Sequence, residues 1–254
     1  VSRNFYGVLQ VRDQTDDDDT TNHRRGMFHG SILHGTQFLA EDKKDLPTTY
    51  YGKKSGVGLV MQQHRSGEKR RIGVVGLGVG TLAVYGQKED YLRFYEINSE
   101  VIRMADQYFT FLKNSASQTE MVLGDARLSL EHEEPQNYDI LVLDAFSGDA
   151  IPTHLLTREA ALLYKQNLRD DGILCIHISN LHFDLRPVVQ GLASDIGMHS
   201  ACVQAMPDED QGTNLCHCML LSKQPIPQDI VARAEKINEP AESELLWTDE
   251  WSNL

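Results

Sequence analysis

From Arg71 onward, short apolar runs alternate with amphipathic stretches. The runs 72–76, 91–96, 120–123, 138–144 and 172–178 have the length and β-branched content of strands. The stretches 80–86, 98–109, 155–168 and 184–196 carry apolar positions at helical spacing. Alternation of this kind predicts a parallel sheet covered on both faces by helices. The order changes near the end. Residues 200–205 and 215–221 read as two strands joined by the polar loop 207–213, which makes an antiparallel hairpin.

Ahead of Arg71 the pattern is β. Residues 4–12 read as one strand, and the acidic run 13–19 as a solvated hairpin loop. Met27 to Leu39 holds two more short strands, turning near Gly30 and Gly35. His29 and His34 are five apart and fall on opposite faces of any one strand, a poor metal pair. After Pro47, the apolar positions of 48–63 suit a short helix, followed by the charged linker 66–71. The expected fold is α/β: a Rossmann-like, class I methyltransferase-type, mostly parallel sheet with a C-terminal antiparallel hairpin, preceded by a small N-terminal β domain. The expected divisions are a β-rich domain with a connecting helix (1–66), a Rossmann-like nucleoside-binding domain (67–225), and a C-terminal helix and tail (226–254).

The candidate chemistry lies at strand ends. The first strand runs into Gly76-Leu-Gly78-Val-Gly80, a turn that lets a ligand approach the backbone and opens a helix at Gly80. Glu96 follows Gly76 by twenty residues at the end of the second strand, where a carboxylate can accept both ribose hydroxyls. Asp125 and Ala126 close the third strand. Asp125 suits either an adenine amino group or a helix N-cap, and Ala126 N–H lies near where a ring nitrogen would sit. Asp144 ends a strand whose composition implies burial on both faces, so it faces the ligand crevice and can hold a nucleophile and take its proton. Asp149, in the following loop, is either a second amine ligand or a solvated turn residue.

Composition narrows the ligand class. A formal net charge of −13 over 254 residues argues against nucleic-acid binding and is compatible either with a merely solubilising acidic surface or with a cationic substrate. No stretch approaches the roughly 20 apolar residues of a membrane span, and no signal peptide is visible. The chain starts at Val1 rather than Met, which leaves room for flanking segments, membrane helices included. The expected location is the cytoplasm, as a soluble domain alone or within a membrane-anchored protein. Cys175 and Cys202 fall in apolar runs as small core residues. Cys216 and Cys218 flank His217 with both thiols on one strand face, and without a second ligand pair no metal is expected.

At these residues the chain resembles the spermidine synthase family of aminopropyltransferases. The matching segments are the Gly76–Gly80 loop, Tyr95-Glu96-Ile97, Gly124-Asp125, and Asp144 with the loop after it. Arg3-Asn-Phe-Tyr-Gly7, residues 144–152 and residues 247–253 are similar to a bacterial spermidine-synthase-like branch whose members often carry membrane helices. The resemblance implies decarboxylated S-adenosylmethionine as donor, with S-adenosylmethionine as the alternative, and a small amine such as putrescine as acceptor. It also implies Gln37 as a nucleoside contact, Tyr50 or Tyr51 beside the attacking amine, and a homodimer through the N-terminal region. Three positions depart from the family. Val79 replaces an aspartate near the donor's amine, Ser147 replaces the aspartate that holds the acceptor amine, and His177-Ile-Ser-Asn180 replaces a Gln-Gly-Glu-like stretch. Methyl transfer and a non-catalytic nucleoside-binding module are the competing readings.

Overall fold

The computed structural model describes residues 1–15, 20–30, 32–145, 152–180 and 183–252. The loop expected over 13–19 lies partly outside them. The first four strands, β1 (Ser2–Asn4), β2 (Gly7–Gln14), β3 (Arg24–His29) and β4 (Ile32–Phe38), form an antiparallel sheet in chain order. Residues 4–12 are not one strand. Asn4 pairs with Gly7 across a tight turn, and the Asn4 side chain accepts from Tyr6 N–H at 3.0 Å. His29 and His34 are also not opposed. They lie on neighbouring strands of one hairpin, which brings their rings to 5.6 Å.

A helix α1 (Gly56–Gln63), N-capped by Ser55, leads into the second sheet. There β5 (Arg71–Val75), β6 (Tyr91–Glu96), β7 (Gln118–Leu123), β8 (Tyr138–Leu143) and β9 (Leu168–His177) run parallel. Then β10 (His199–Ala205) and β11 (Cys216–Ser222) make the antiparallel hairpin. The spatial order is β12-β10-β11-β9-β8-β5-β6-β7, where β12 (Lys236–Asn238) is an edge strand inside the expected C-terminal tail. The connecting helices are α2 (Ser99–Tyr108), α3 (Phe111–Asn114), α4 (Ala126–His132), α5 (Arg158–Asn167) and α6 (Arg186–Asp195), and α7 (Gln228–Arg233) precedes β12.

Two helices differ from the sequence expectation. Over 80–86 there is only a five-residue 3-10 helix, Thr81–Tyr85. The Ala83 carbonyl is taken by Gly86 N–H three residues on and by the Ser115 hydroxyl, which closes the segment in the tighter winding. Over 155–168 the chain makes a 3-10 turn, Thr153–Leu155, and then starts α5 afresh, because the Thr157 side chain caps Ala160 N–H.

Side-chain alternation along the strands divides the core. Ile72, Val74, Ile140 and Val142 face Val60, Met61, Val101 and Met104, while Val75, Leu141 and Leu143 face Ala160, Tyr164, Val189 and Leu192. Leu9 and Met27 of the small sheet join the first of these clusters, so the two sheets share apolar packing. At the amino ends of β5 and β6, Arg70 and Asp90 form a fully buried ion pair. Arg70 Nη2 lies 2.6 Å from Asp90 Oδ2, and Arg70 Nη1 donates to the Met61 carbonyl at 2.7 Å.

Candidate active site

The carboxyl ends of β5, β6, β8 and β9 open into one cavity of about 570 Å³, the crevice expected of an open α/β sheet. The small sheet roofs it with Tyr6, His29, Leu33 and His34. The glycine turn forms part of the floor. Gly76 has φ 91°, and a Cβ there would stand 2.2 Å from the Asp144 carbonyl oxygen. Gly78 has φ 55°, and its Cβ would stand 2.7 Å from the His34 carbonyl oxygen. Only glycine permits both the left-handed backbone and these approaches. Gly80 is different. It does not line the cavity but packs on Leu112, and it opens a 3-10 turn instead of the expected helix. Val79 is buried against Gly35, in the apolar core rather than the cavity wall.

Glu96 stands at the end of β6 with its carboxylate held by backbone donors. Oε2 accepts from Leu77 N–H at 3.0 Å and Oε1 from Asn98 N–H at 2.9 Å. Burial pushes its pKa up, partly offset by the N–H groups of Asn98, Leu77 and Ile97. Asp125 does cap α4, with Oδ1 accepting from Leu128 N–H at 2.9 Å, while Oδ2 faces His154 Nε2 at 3.3 Å. Asp125, Ala126 and His154 all line the cavity. Gln37 does not. Its amide nitrogen donates to the Lys44 carbonyl and to Thr110 Oγ1, and its oxygen accepts from Thr110 N–H, so it braces β4 against the chain before α3. The β4 residues at the cavity are instead Leu33 and His34.

After β8, Asp144 is held from two sides. Tyr51 Oη donates to Oδ2, and His177 Nδ1 lies 2.7 Å from Oδ1. Tyr50 stacks on the His177 ring with centroids 4.6 Å apart. Both tyrosines therefore line the cavity, Tyr51 on the carboxylate and Tyr50 on the imidazole. Burial would raise the Asp144 pKa, but the charge and hydrogen bond of His177, the Tyr51 hydroxyl and the charge of His34 outweigh it and hold it below the ordinary value. The same neighbourhood pushes the Tyr51 phenol well up, through burial first and Asp144 second. Ser147 and Asp149, expected to meet the acceptor, lie outside the described residues.

His34 and His177 join the site without having been assigned to it from sequence. The departure at 177–180 was the available signal for His177. For His34 the signal lay in the hairpin pairing, which sets it beside His29 and within the electrostatic reach of Asp144. Among the described residues no group of three or more His, Cys, Asp or Glu side chains is placed to hold a metal ion. All four cysteines are free and buried.

Over 109 residues the chain is 36% identical to the polyamine aminopropyltransferase of Vibrio vulnificus, a match covering 41% of this chain and 36% of that protein. A probable spermidine synthase from Corynebacterium glutamicum superposes with a TM-score of 0.64 at 19% identity, covering 84% of this chain and 76% of that one. In fold the chain is similar to spermidine synthases. Its Rossmann-like sheet is shared more widely: human methyltransferase-like protein 13, solved in complex with SAH, superposes with a TM-score of 0.52 at 16% identity over 74% of this chain and 94% of that one. No protein-family model matches the chain. The chain spans about a third of the length of the Vibrio vulnificus protein. Among its described residues, no helix is long and apolar enough to cross a membrane.

Proposed function

We propose that this protein is an aminopropyltransferase, moving the aminopropyl group of decarboxylated S-adenosylmethionine to a small amine and releasing methylthioadenosine. The observation that carries the reading is that Asp144, in contact with Tyr51, lines one cavity together with Glu96 and Asp125. In this reading Glu96 accepts the ribose hydroxyls. Its carboxylate is desolvated, and donors from a bound diol would favour its charged form. Asp125 and Ala126 take the adenine edge, and Gly76 and Gly78 give the nucleoside room to lie on the backbone.

The transfer is a displacement. The lone pair of a neutral amine attacks the carbon next to the sulfonium, and the C–S bond breaks with its electrons going to sulfur. The amine proton passes to Asp144 and on to solvent. Alignment of the two reactants in one cavity supplies much of the remaining acceleration. The assembly that accompanies this reading is a homodimer through the small sheet, which analytical ultracentrifugation would check.

Calorimetry with methylthioadenosine, S-adenosylmethionine and its decarboxylated form tests the donor, and product analysis with putrescine tests the acceptor. Preference for the decarboxylated donor together with product formation is the expected result. Preference for the intact donor would favour methyl transfer, a reading supported by the burial of Val79. An acidic side chain in the cavity wall would repel the carboxylate of the intact donor, and the glycine loop supplies none at this position. Failure of all three nucleosides to bind would remove both readings. Glu96→Gln should raise the methylthioadenosine Kd about 10- to 100-fold, the size of one charge-assisted hydrogen bond. An unchanged Kd in this variant, with its melting temperature intact, would take Glu96 out of the ligand site.

A further inference from the structure

We propose that His177 is a positioning residue of the transfer reaction, clamping the Asp144 carboxylate against Tyr51 through its Nδ1 while Tyr50 fixes its ring. The inference rests on the aminopropyl-transfer reading of the same site and adds a residue to it. Asp144 is the first residue after β8, so its backbone alone does not fix the direction of its side chain. Two side chains do. Tyr51 takes Oδ2, and His177 takes Oδ1 at 2.7 Å from the adjacent strand β9. A carboxylate bonded on both oxygens has one orientation and keeps lone pairs for an incoming amine.

The clamp is itself braced. Tyr50 lies over the imidazole at 4.6 Å, and Tyr85 Oη donates to the Tyr51 carbonyl at 2.5 Å, which ties the tyrosine pair to the turn after β5. An Asp–His pair of this kind can also work the other way, with the imidazole as base and the carboxylate as its holder. The geometry favours positioning. His177 Nε2, the nitrogen that would take a proton, is shielded from solvent, whereas Nδ1 is engaged with the carboxylate. A carboxylate rather than an imidazole then meets the amine.

The groups around Asp144 bear on its ionisation. His177 and His34 are the potential cations, Tyr51 is a donor, and Tyr50, Cys216 and Cys218 are neutral neighbours within electrostatic reach. Removing His177 takes away a donor and a charge that favour the carboxylate. The Asp144 midpoint should therefore rise.

The test compares His177→Ala with His177→Asn, whose Nδ2 stands where Nδ1 stands in the parent. Aspartate carboxyls labelled with carbon-13 give the Asp144 titration by NMR, with Asp144→Asn assigning the signal. The expected result is an upward shift of about one pH unit or more in His177→Ala, a tenfold change in proton affinity, with at least half of it restored in His177→Asn. Transfer assays should show kcat reduced at least tenfold in His177→Ala, recovery in His177→Asn, and methylthioadenosine Kd within twofold in both. An unmoved Asp144 midpoint in His177→Ala, or His177→Asn no better than His177→Ala, would overturn the proposal. If the parent protein transfers no aminopropyl group, the functional reading fails by itself, and the titration still decides the role of His177.

Discussion

Asp144→Asn should reduce aminopropyl transfer at least 100-fold while leaving the methylthioadenosine Kd within about threefold of the parent. The size follows from general-base catalysis, which contributes about 10²- to 10⁴-fold. The separation of the two effects follows from the cavity. Asp144 sits with Tyr51 and His177, whereas Glu96 and Asp125 line other parts of the wall. Asparagine keeps the volume and one acceptor, so the glycine turn beneath it, where Asp144 N–H donates to the Val75 carbonyl, keeps its backbone bond. Parallel calorimetry and product assays check both halves. Equal losses in binding and turnover would mean that Asp144 supports the nucleoside rather than the reaction.

The largest effect on stability should come from the Arg70–Asp90 pair. Asp90 accepts from the Arg70 Nε and Nη2, from Arg70 N–H and from Gln87 N–H, and both side chains are wholly buried. Asp90→Ala leaves a guanidinium in the core without its counter-charge, which costs about 3–5 kcal/mol. For a chain of this length that lowers Tm by about 10 °C. Replacing both partners with apolar residues, as in Arg70→Met with Asp90→Leu, should cost much less, because no lone charge remains. Thermal denaturation of the two variants distinguishes them. Equal losses would show that packing volume, rather than the buried charge, sets the effect.

The sequence exposed the large sheet well because its strands are buried on alternate or both faces. Tyr138–Leu143 is buried at every position and, Asp139 apart, reads as an apolar run. The same logic missed β12, an edge strand of three residues whose periodicity is too short to register. It also missed the break between β1 and β2, because Phe5 and Tyr6 have strand-like composition yet sit in a turn secured by Asn4. At the site, Glu96, Asp125 and Asp144 were legible because strand ends and glycine spacing announce them. Gln37 was misplaced for a related reason. Its family resemblance gave a role, but hydrogen bonds to Lys44 and Thr110 satisfy its amide elsewhere. His34 and His177 reach Asp144 from a hairpin and from the neighbouring strand, and pairing across 33 residues, as between His177 and Asp144, leaves no local pattern to read.

The contact between the small sheet and the glycine turn carries a further consequence. The His34 carbonyl presses on Gly78, and the Val79 side chain packs into the space that Gly35 leaves open, so the roof rests on the floor at two glycines where no larger residue fits. The seating is fixed, while the roof's projecting groups, Tyr6, His29, Leu33 and His34, come from a separate stretch of chain than Glu96 and Asp125. On the aminopropyl-transfer proposal, substrate range can thus diverge through a few hairpin positions while the proposed nucleoside contacts stay unchanged. Chimeras that exchange residues 24–38 between relatives are the place to look for that drift.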